Sequence, residues 1–227
     1  MQILIGIGTV MIGYILGSIP FGLLIVKMKT GKDIRKVESG RTGGTNAVRA
    51  AGFLAGLATA ILDILKGAAS VWLAQTLVPQ QHIFHILAPV AAILGHNYSL
   101  FLIERDTNGK LRFHGGAGGA PALGGAVGLW PWMFPIVFGV GAIIWFGLGI
   151  ASVTTMAIGL VAIIVFAIRG AMGLQHPVDV WYGVIAELLL LWALRPNIQK
   201  LFAGQERVVK FSLNGWLRAR REAASHK

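Results

Sequence analysis

Polar residues and glycines are concentrated in ESGRTGGTNAVRAAG, residues 38–52, between two long apolar runs. Glycines permit close backbone approach, and successive backbone amides can then surround an anion. An arginine such as Arg49 can bind a phosphate through two hydrogen bonds. The segment lacks the Gly-Lys-Ser/Thr sequence of a nucleotide-binding P-loop. It predicts either a phosphate site or a solvated basic loop. The candidate residues are Ser39, Gly40, Arg41, Gly43, Thr45, Asn46 and Arg49.

Two further polar segments adjoin apolar runs. The first, RFHGGAGGAPALGG (112–125), carries one imidazole, His114, beside Gly115 and Gly116. It does not match G-x-G-x-x-G and no strand pattern precedes it, which excludes a dinucleotide-binding fold. Its glycines are equally typical of close helix packing. The second, RPNIQKLFAGQE (195–206), contains Asn197 and Glu206.

Some ionisable residues lie within the apolar runs, where each costs about 2.5–3.5 kcal/mol at a helix centre. Asp63 and Lys66 are three positions apart and can pair on one helix face, so we expect a structural ion pair. Glu187 has no evident partner in the sequence. A proton or solute path through these three residues, as in a small transporter, is the alternative. Ser152 and Thr155 open another apolar run and are typical of helix packing.

The composition excludes an ordinary soluble domain. Of 227 residues, 55% are hydrophobic and 13% charged, and the mean hydropathy is +0.70, whereas soluble domains carry about 25% charged residues. The net charge of +11 is explained by Lys and Arg in cytoplasmic loops, so no nucleic-acid partner is expected. Without cysteine there is no disulfide, thiol nucleophile or Cys-ligated metal site. The histidines lack H-x-x-x-H spacing, so no metal is expected.

The apolar runs predict an all-α polytopic membrane protein with seven transmembrane helices. We place them at roughly 3–26, 52–77, 83–103, 117–132, 133–149, 150–168 and 177–194. Basic residues then accumulate on one side, which puts the N-terminus outside and the C-terminus in the cytoplasm. Because 117–132 is short and rich in glycine, six spans with a re-entrant segment is the alternative.

Residues 1–200 form the predicted membrane domain, and 201–227 a short basic cytoplasmic tail. In the tail, Leu213, Phe211 and Trp216 accompany an arginine cluster. This pattern is typical either of a segment lying on anionic lipid or of a solvated tail. The three polar segments fall on the cytoplasmic side, which predicts one site there for a small anionic molecule. A structural scaffold would not explain this convergence.

Several segments, in order, resemble the motifs of the bacterial acyl-phosphate:glycerol-3-phosphate acyltransferases (PlsY-type). They are YILGSIPFGLLI, DIRKVESGRTGGTNAVRAAG, ILDILKG, GH at 95–96, GGAGGAPALGG and NIQKLFAGQE. The resemblance covers Tyr14 to Glu206. It implies a seven-helix enzyme of the bacterial cytoplasmic (inner) membrane. Such enzymes transfer a fatty acyl group from acyl-phosphate to the 1-hydroxyl of sn-glycerol 3-phosphate, forming lysophosphatidic acid. They need no metal and no cofactor.

The resemblance assigns roles residue by residue. It implies catalytic roles for Ser39, Arg49, Ser152 and Asn197, with Thr155 and Glu206 in support. The residues implied to bind substrate phosphate are Gly40, Arg41, Gly43, Thr45, Asn46, His114, Gly115 and Gly116.

The chain departs from the family pattern at several positions. The motif KGGKG reads HGGAG here, so His114 and Ala117 replace two lysines, and Leu194 replaces a histidine. Glu38 stands for the leading glycine of GSGNxGATNxxR, Arg41 for its asparagine and Gly44 for its alanine, and residues 105–112 form an insertion. Histidine is only partly charged near neutral pH, and Arg41 could restore the lost charge. An active but altered enzyme, a paralogue with another phosphorylated acceptor and an inactive member are the three alternatives.

Overall fold

The computed structural model describes residues 1–209 and 212–225, with the side chains of 221–225 left out. Lys210, Phe211 and Lys227 of the predicted tail, and the side chain of Arg221, lie outside this description. The helices are α1 (Gln2–Ser18), α2 (Phe21–Thr30), α3 (Gly44–Ala51), α4 (Phe53–Leu77), α5 (His82–Asn97), α6 (Gly119–Leu129), α7 (Met133–Gly147), α8 (Ala151–Ala171), α9 (Asp179–Ala193), α10 (Arg195–Phe202) and α11 (Leu213–Ser225). Short 3₁₀ turns span Ile34–Lys36 and Leu100–Leu102.

The helical architecture follows from the apolar runs, because a chain in lipid must satisfy its backbone hydrogen bonds internally. By length and composition, four helical segments are suited to crossing a bilayer: Gln2–Thr30, Phe53–Leu77, His82–Leu102 and Ala151–Ala171. Gly119–Leu129 and Met133–Gly147 are shorter apolar helices. The chain is therefore a helical membrane protein.

The first apolar segment is interrupted at Pro20, which separates α1 from α2. Proline has no amide hydrogen and cannot continue the helical hydrogen-bond ladder. At this break the carbonyl oxygen of Ile19 accepts hydrogen bonds from the amide of Phe21 at 3.1 Å and from Nζ of Lys66 in α4 at 3.0 Å. The predicted single span at 3–26 is thus two helices.

A β-hairpin is the main departure from the all-α prediction. Strands β1 (Ile103–Arg105) and β2 (Leu111–Phe113) pair antiparallel, and the side chain of Asp106 accepts hydrogen bonds from the amides of Asn108 and Lys110 in the turn. Asp and Asn favour such turns because their side chains bond to nearby backbone amides. The hairpin accounts for the insertion at 105–112.

The hydrophobic core surrounds α6, which packs against α4, α5, α8 and α9. Tyr182 of α9 is fully buried and donates a hydrogen bond of 2.6 Å to the carbonyl of Ala122 in α6. At one end of the bundle, Asp179 is 2% exposed and accepts hydrogen bonds from His82 and Gln175, each 2.6 Å long. The polar segments of the sequence lie at the opposite end, called here the site end.

Candidate functional site

At the site end, hydrogen bonds join the first polar segment to the second and to the end of α9, directly before the third. The amide of Thr42 donates to the carbonyl of Gly115 at 3.1 Å, which links the first segment to the second. The guanidinium of Arg41 donates to the carbonyl of Ala193 at 2.7 Å, which links the first segment to the end of α9. The first segment therefore contacts the second segment and the chain two positions before the third, while a single substrate site at this junction stays a prediction.

Asn46 determines the shape of the first loop. It is buried, and its side-chain nitrogen lies within hydrogen-bonding distance of the carbonyls of Ile34, Val37 and Arg41, at 3.2, 3.0 and 2.9 Å. Three backbone segments that would otherwise be separate are thereby held together. A contact between Asn46 and substrate phosphate stays a prediction.

Glu206 brings together two of the predicted catalytic residues. Its Oε1 accepts a hydrogen bond from the hydroxyl of Ser152 and another from the side-chain amide of Asn197, both 3.0 Å long. Because the hydroxyl proton of Ser152 is directed at Glu206, Oγ retains its lone pairs and can accept a hydrogen bond from a ligand. Asn197 retains its second N–H and its carbonyl oxygen.

The glycine loop after β2 lies directly over His96. The amide of Gly116 donates to the carbonyl of His96 at 2.9 Å, and a Cβ atom at Gly116 would lie 1.9 Å from Nε2 of that histidine. A side chain at position 116 would therefore collide with the imidazole. His96, rather than backbone flexibility, explains the need for glycine here.

A buried polar cluster supports this loop from inside the bundle. Nζ of Lys66 lies 2.8 Å from Oδ1 of Asp63, 3.0 Å from Nδ1 of His96 and 3.0 Å from the carbonyl of Ile19. Asp63 and Lys66 are 1% and 4% exposed, so the predicted ion pair is confirmed. Nζ forms hydrogen bonds with the Ile19 carbonyl and His96 Nδ1, and Asp63 supplies the opposite charge. Nδ1 of His96 is then an acceptor, and Nε2 carries the proton.

A cleft of about 140 Å³ opens between the second glycine loop and the end of α9. Its lining includes Asn97, Gly116, Trp192, Ala193 and Arg195. The Arg195 guanidinium stacks 3.5 Å from the centroid of the Trp192 ring. Trp192 in turn donates a hydrogen bond of 2.8 Å to the hydroxyl of Tyr98.

Charge at this end is only partly balanced. Burial lowers the pKa of Arg41, and the nearby charge of Glu206 opposes this effect. An arginine still remains protonated at physiological pH. Arg41, Arg49 and Arg195 form no ion pair within the described residues. Of these, Arg195 lines the cleft and Arg41 contacts its lining residue Ala193, so these two guanidinium groups are suited to an anionic ligand.

The hairpin adds a charged cluster beside the cleft. Glu104 of β1 pairs with Arg35, and its Oε2 lies 3.2 Å from Nε2 of His114. Arg35 also binds Asp33 at 2.6 Å. That hydrogen bond is the main reason that the pKa of Asp33 falls to about 2. The carboxylate of Glu104 therefore already faces the imidazole that stands for a family lysine.

The other predicted residues vary in their surroundings. Ser39 and Thr45 are exposed, and Ser39 accepts a long hydrogen bond of 3.4 Å from the amide of Arg41. Arg49 is exposed in the last turn of α3, and Gly52 separates that helix from α4. Helix α3 and Gly52 therefore separate Arg49 from the second apolar run. Thr155 bonds within α8 to the carbonyl of Ala151 at 2.9 Å, as a packing residue would.

Four residues at the cleft were not identified from the sequence: Asn97, Tyr98, Trp192 and Arg195. Asn97 follows the GH pair, and its buried Oδ1 has no hydrogen-bond partner within the described residues. A polar GHN sequence at the end of an apolar helix is the signal that could have indicated it. Trp192 and Arg195 carry no signal beyond the abundance of Trp and Arg at membrane interfaces.

Comparison with known proteins identifies similar chains. The family model described as glycerol-3-phosphate acyltransferase matches residues 7–204. Glycerol-3-phosphate acyltransferase 3 of Dehalococcoides mccartyi (strain CBDB1) is 34% identical over 213 residues, covering 88% of this chain and 93% of that protein. The glycerol-3-phosphate acyltransferase of Rubrobacter xylanophilus is 35% identical over 198 residues, covering 87% and 92%.

A solved structure has the same fold. The crystal structure of PlsY, an integral membrane glycerol 3-phosphate acyltransferase, in its glycerol 3-phosphate form aligns with a TM-score of 0.76 and 29% identity. The alignment covers 90% of this chain and 95% of that one.

Proposed function

Because the chain belongs to the glycerol-3-phosphate acyltransferase family, we propose that it transfers a fatty acyl group from acyl-phosphate to the 1-hydroxyl of sn-glycerol 3-phosphate, forming lysophosphatidic acid. The observation that carries the proposal is the junction of the three polar segments around a cleft flanked by unpaired arginines. The similar crystal structures are the glycerol 3-phosphate and lysophosphatidic acid forms of PlsY.

The arginines supply the positive charge that two phosphorylated substrates require. Arg41 and Arg195 lie at the cleft, and Arg49 is exposed on α3 in the loop region. Together with the hydroxyl of Ser39 and the backbone amides of the first loop, we assign them to substrate phosphate. Arg41 takes the place of the charge that the family lysine would provide at Ala117. Charged hydrogen bonds of this kind contribute about 1.5–3 kcal/mol each.

The Glu206 centre orients the acceptor. Ser152 Oγ can accept a hydrogen bond from the 1-hydroxyl because its own proton is donated to Glu206. The remaining N–H of Asn197 can polarise the acyl carbonyl. Alignment of this kind is the main requirement for an acyl phosphate, which already carries a good leaving group.

The bond changes balance without a protein nucleophile. The hydroxyl oxygen of glycerol 3-phosphate attacks the acyl carbon, and the bond from that carbon to the phosphate oxygen breaks. The hydroxyl proton passes to a substrate phosphate oxygen, because Leu194 stands where the family motif has a histidine. The products are lysophosphatidic acid and inorganic phosphate.

An apolar groove between α1 and α5 provides a place for the acyl chain. Its volume is about 410 Å³, and it is lined by Val10, Met11, Tyr14, Ile15, Ala91 and Leu100. The hydroxyl of Tyr14 donates to the carbonyl of Tyr98 at 2.7 Å, and Tyr98 also lines the cleft. The groove therefore adjoins the cleft, and an acyl chain could extend from the reacting carbonyl along α1.

We place the protein in the bacterial cytoplasmic membrane with seven spans. The first is α1 with α2, and the others are α4, α5, α6, α7, α8 and α9. The site end carries the basic loops and therefore faces the cytoplasm. This orientation gives the site access both to water-soluble glycerol 3-phosphate and to acyl chains in the bilayer.

Product analysis tests the proposal. Purified protein in detergent is incubated with palmitoyl-phosphate and labelled glycerol 3-phosphate, and palmitoyl-CoA replaces the donor in a parallel reaction. We expect labelled lysophosphatidic acid from the acyl phosphate alone. No product from folded protein would reject the reaction, and a product from another phosphorylated alcohol would identify a paralogue with a changed acceptor.

A further inference from the structure

The C-terminal segment begins in the site and continues beyond it. The family match ends at residue 204, whereas Glu206 contacts Ser152 and Asn197. The next residue, Arg207, pairs with Glu38 of the first loop at 2.5 Å. Glu38 has a φ of 48°, a left-handed conformation that costs a non-glycine residue free energy. The segment therefore contacts two of the three polar segments.

The segment is then fixed to the loop between α7 and α8. The amide of Val209 donates to the carbonyl of Gly149 at 2.8 Å, and Ser212 is fully buried against the same glycine. Gly149 has a φ of +70°, and a Cβ atom there would lie 2.1 Å from Oγ of Ser212. Asn214 of α11 donates to the carbonyl of Leu148 at 3.1 Å. The start of α11 is thus attached to Leu148, four residues before Ser152.

α11 has the chemical character of an interfacial helix. Leu213, Trp216 and Leu217 lie at i, i+3 and i+4 on one face and are 59%, 48% and 41% exposed. The guanidinium of Arg220 stacks on the Trp216 ring at 4.1 Å. Residues 207–227 contain six Lys or Arg and a single acidic residue, Glu222. Thirteen residues form a marginal helix in water without a packing surface.

The surroundings of α11 indicate which surface covers its apolar face. α11 contacts the end of α7, a helix that exposes Phe138 and Ile143 along its length as lipid-facing helices do. Leu148, at the junction of the two, is also exposed. An apolar edge continuous with the lipid-facing surface, combined with arginines, complements a bilayer that carries anionic headgroups.

We infer that α11 docks on the anionic headgroup surface of the bilayer and thereby holds Glu206 and Arg207 over the site. Docking restrains Glu206 where it binds Ser152 and Asn197. The link to catalysis rests on the proposed acyl transfer, whereas the docking itself does not. Acyl transfer should then be faster in bilayers that contain anionic phospholipid.

Docking is measured directly with a spin label. The chain contains no cysteine, so Leu217→Cys in the full-length protein gives one attachment site. The protein is reconstituted in vesicles of phosphatidylcholine, either alone or with roughly 30 mol% of the anionic lipid phosphatidylglycerol. We expect the label to become accessible to oxygen and protected from a water-soluble nickel complex only with phosphatidylglycerol.

Charge variants separate the lipid interaction from other causes. Arg218→Gln with Arg220→Gln should weaken docking about 30-fold, since each arginine near an anionic surface contributes about fivefold. Arg112→Gln, on the exposed β2 strand, is the matched control. A label that remains in water in both vesicles would overturn the inference, as would burial that is insensitive to the Arg218 and Arg220 changes. An acidic protein partner would bind α11 without regard to the vesicle composition.

Activity in the same vesicles tests the connection to the site. We expect acyl transfer several-fold faster with phosphatidylglycerol, and this ratio should fall to about one in the Arg218 and Arg220 variant. Normal docking with an unchanged activity ratio would reject the restraint on Glu206. Normal docking without acyl transfer in any vesicle would instead reject the proposed reaction.

Discussion

The guanidinium of Arg41 donates a hydrogen bond of 2.7 Å to the backbone carbonyl of Ala193, 152 positions further along the chain. This contact brings a cation from the first loop to the cleft at the end of α9. It also places the charge close enough to Glu206 for the carboxylate to affect the pKa of Arg41. The position that departs from the family motif therefore lies next to a residue that lines the cleft.

Glu206 is expected to act by positioning Ser152 and Asn197. Glu206→Gln keeps an oxygen that can accept both hydrogen bonds, and we predict a loss of about tenfold in kcat/KM. Glu206→Ala removes both hydrogen bonds and should cost 100-fold or more by the same reasoning. Steady-state kinetics with palmitoyl-phosphate measure both. Equal losses in the two variants would indicate that the carboxylate charge, rather than its geometry, is essential.

The buried pair of Asp63 and Lys66 is expected to stabilise the bundle. Lys66→Met leaves a buried carboxylate unpaired, which should lower the free energy of unfolding by about 3–5 kcal/mol. Replacing both residues, as Asp63→Leu with Lys66→Met, should recover part of this loss. Unfolding in detergent gives the values, with Thr76→Ala, an exposed position on the same helix, as the control. A stable single variant would show that the pair contributes little.

The role of His114 gives a prediction for phosphate binding. If its imidazole donates a hydrogen bond to substrate phosphate, His114→Ala should lower the affinity for glycerol 3-phosphate about tenfold. His114→Gln keeps an N–H that can donate, and it should retain most of that affinity. Binding measurements at one fixed pH give the dissociation constants of both variants and of the wild type. Wild-type affinity in His114→Ala would remove His114 from the site.

Asp33 should not contribute to the pH dependence of stability between about pH 6 and 9. The hydrogen bond from Arg35 lowers its pKa to about 2, below the unfolded value of about 3.9. Its stabilising effect is therefore complete above pH 4 and is lost as pH falls through about 2. Any change between pH 6 and 9 must have another origin.

The groove between α1 and α5 should determine acyl-chain length. Ile15→Trp places an indole in the groove and should reduce kcat/KM for palmitoyl-phosphate at least tenfold relative to octanoyl-phosphate, because the longer chain loses apolar contact. Ile12→Trp, exposed on the same helix and outside the groove lining, serves as the control. If both variants keep the wild-type chain preference, the acyl chain lies elsewhere.

Local pattern was sufficient to predict much of the fold. The apolar runs gave the positions of α4 to α9 within a few residues, and the i, i+3 spacing gave the Asp63–Lys66 pair. The break at Pro20 had a signal, since proline ends the ladder, but a continuous apolar run obscured it. The hairpin had the turn residues Asp106, Asn108 and Gly109, but its two strands have only three residues each.

The site was less predictable because its contacts are long-range. Spacing cannot show that Lys66 reaches His96 and the carbonyl of Ile19, or that Arg41 reaches Ala193. The motif resemblance identified Ser152, Asn197 and Glu206. Only the fold shows that Ser152 and Asn197 both donate hydrogen bonds to Oε1 of Glu206. Arg195 and Asn97 become candidate site residues only because they line the cleft. The individual substrate contacts remain predictions.

The most direct test of the proposed phosphate-binding role of the arginines is the rate of lysophosphatidic acid formation by Arg41→Ala and Arg49→Ala beside the wild type. Arg112→Ala serves as the control. Each site variant loses a charged hydrogen bond, so kcat/KM for glycerol 3-phosphate should fall roughly 10–100-fold, while Arg112→Ala stays within about twofold of the wild type. Full activity of both site variants would contradict the account, because the unpaired arginines would then not bind the substrates.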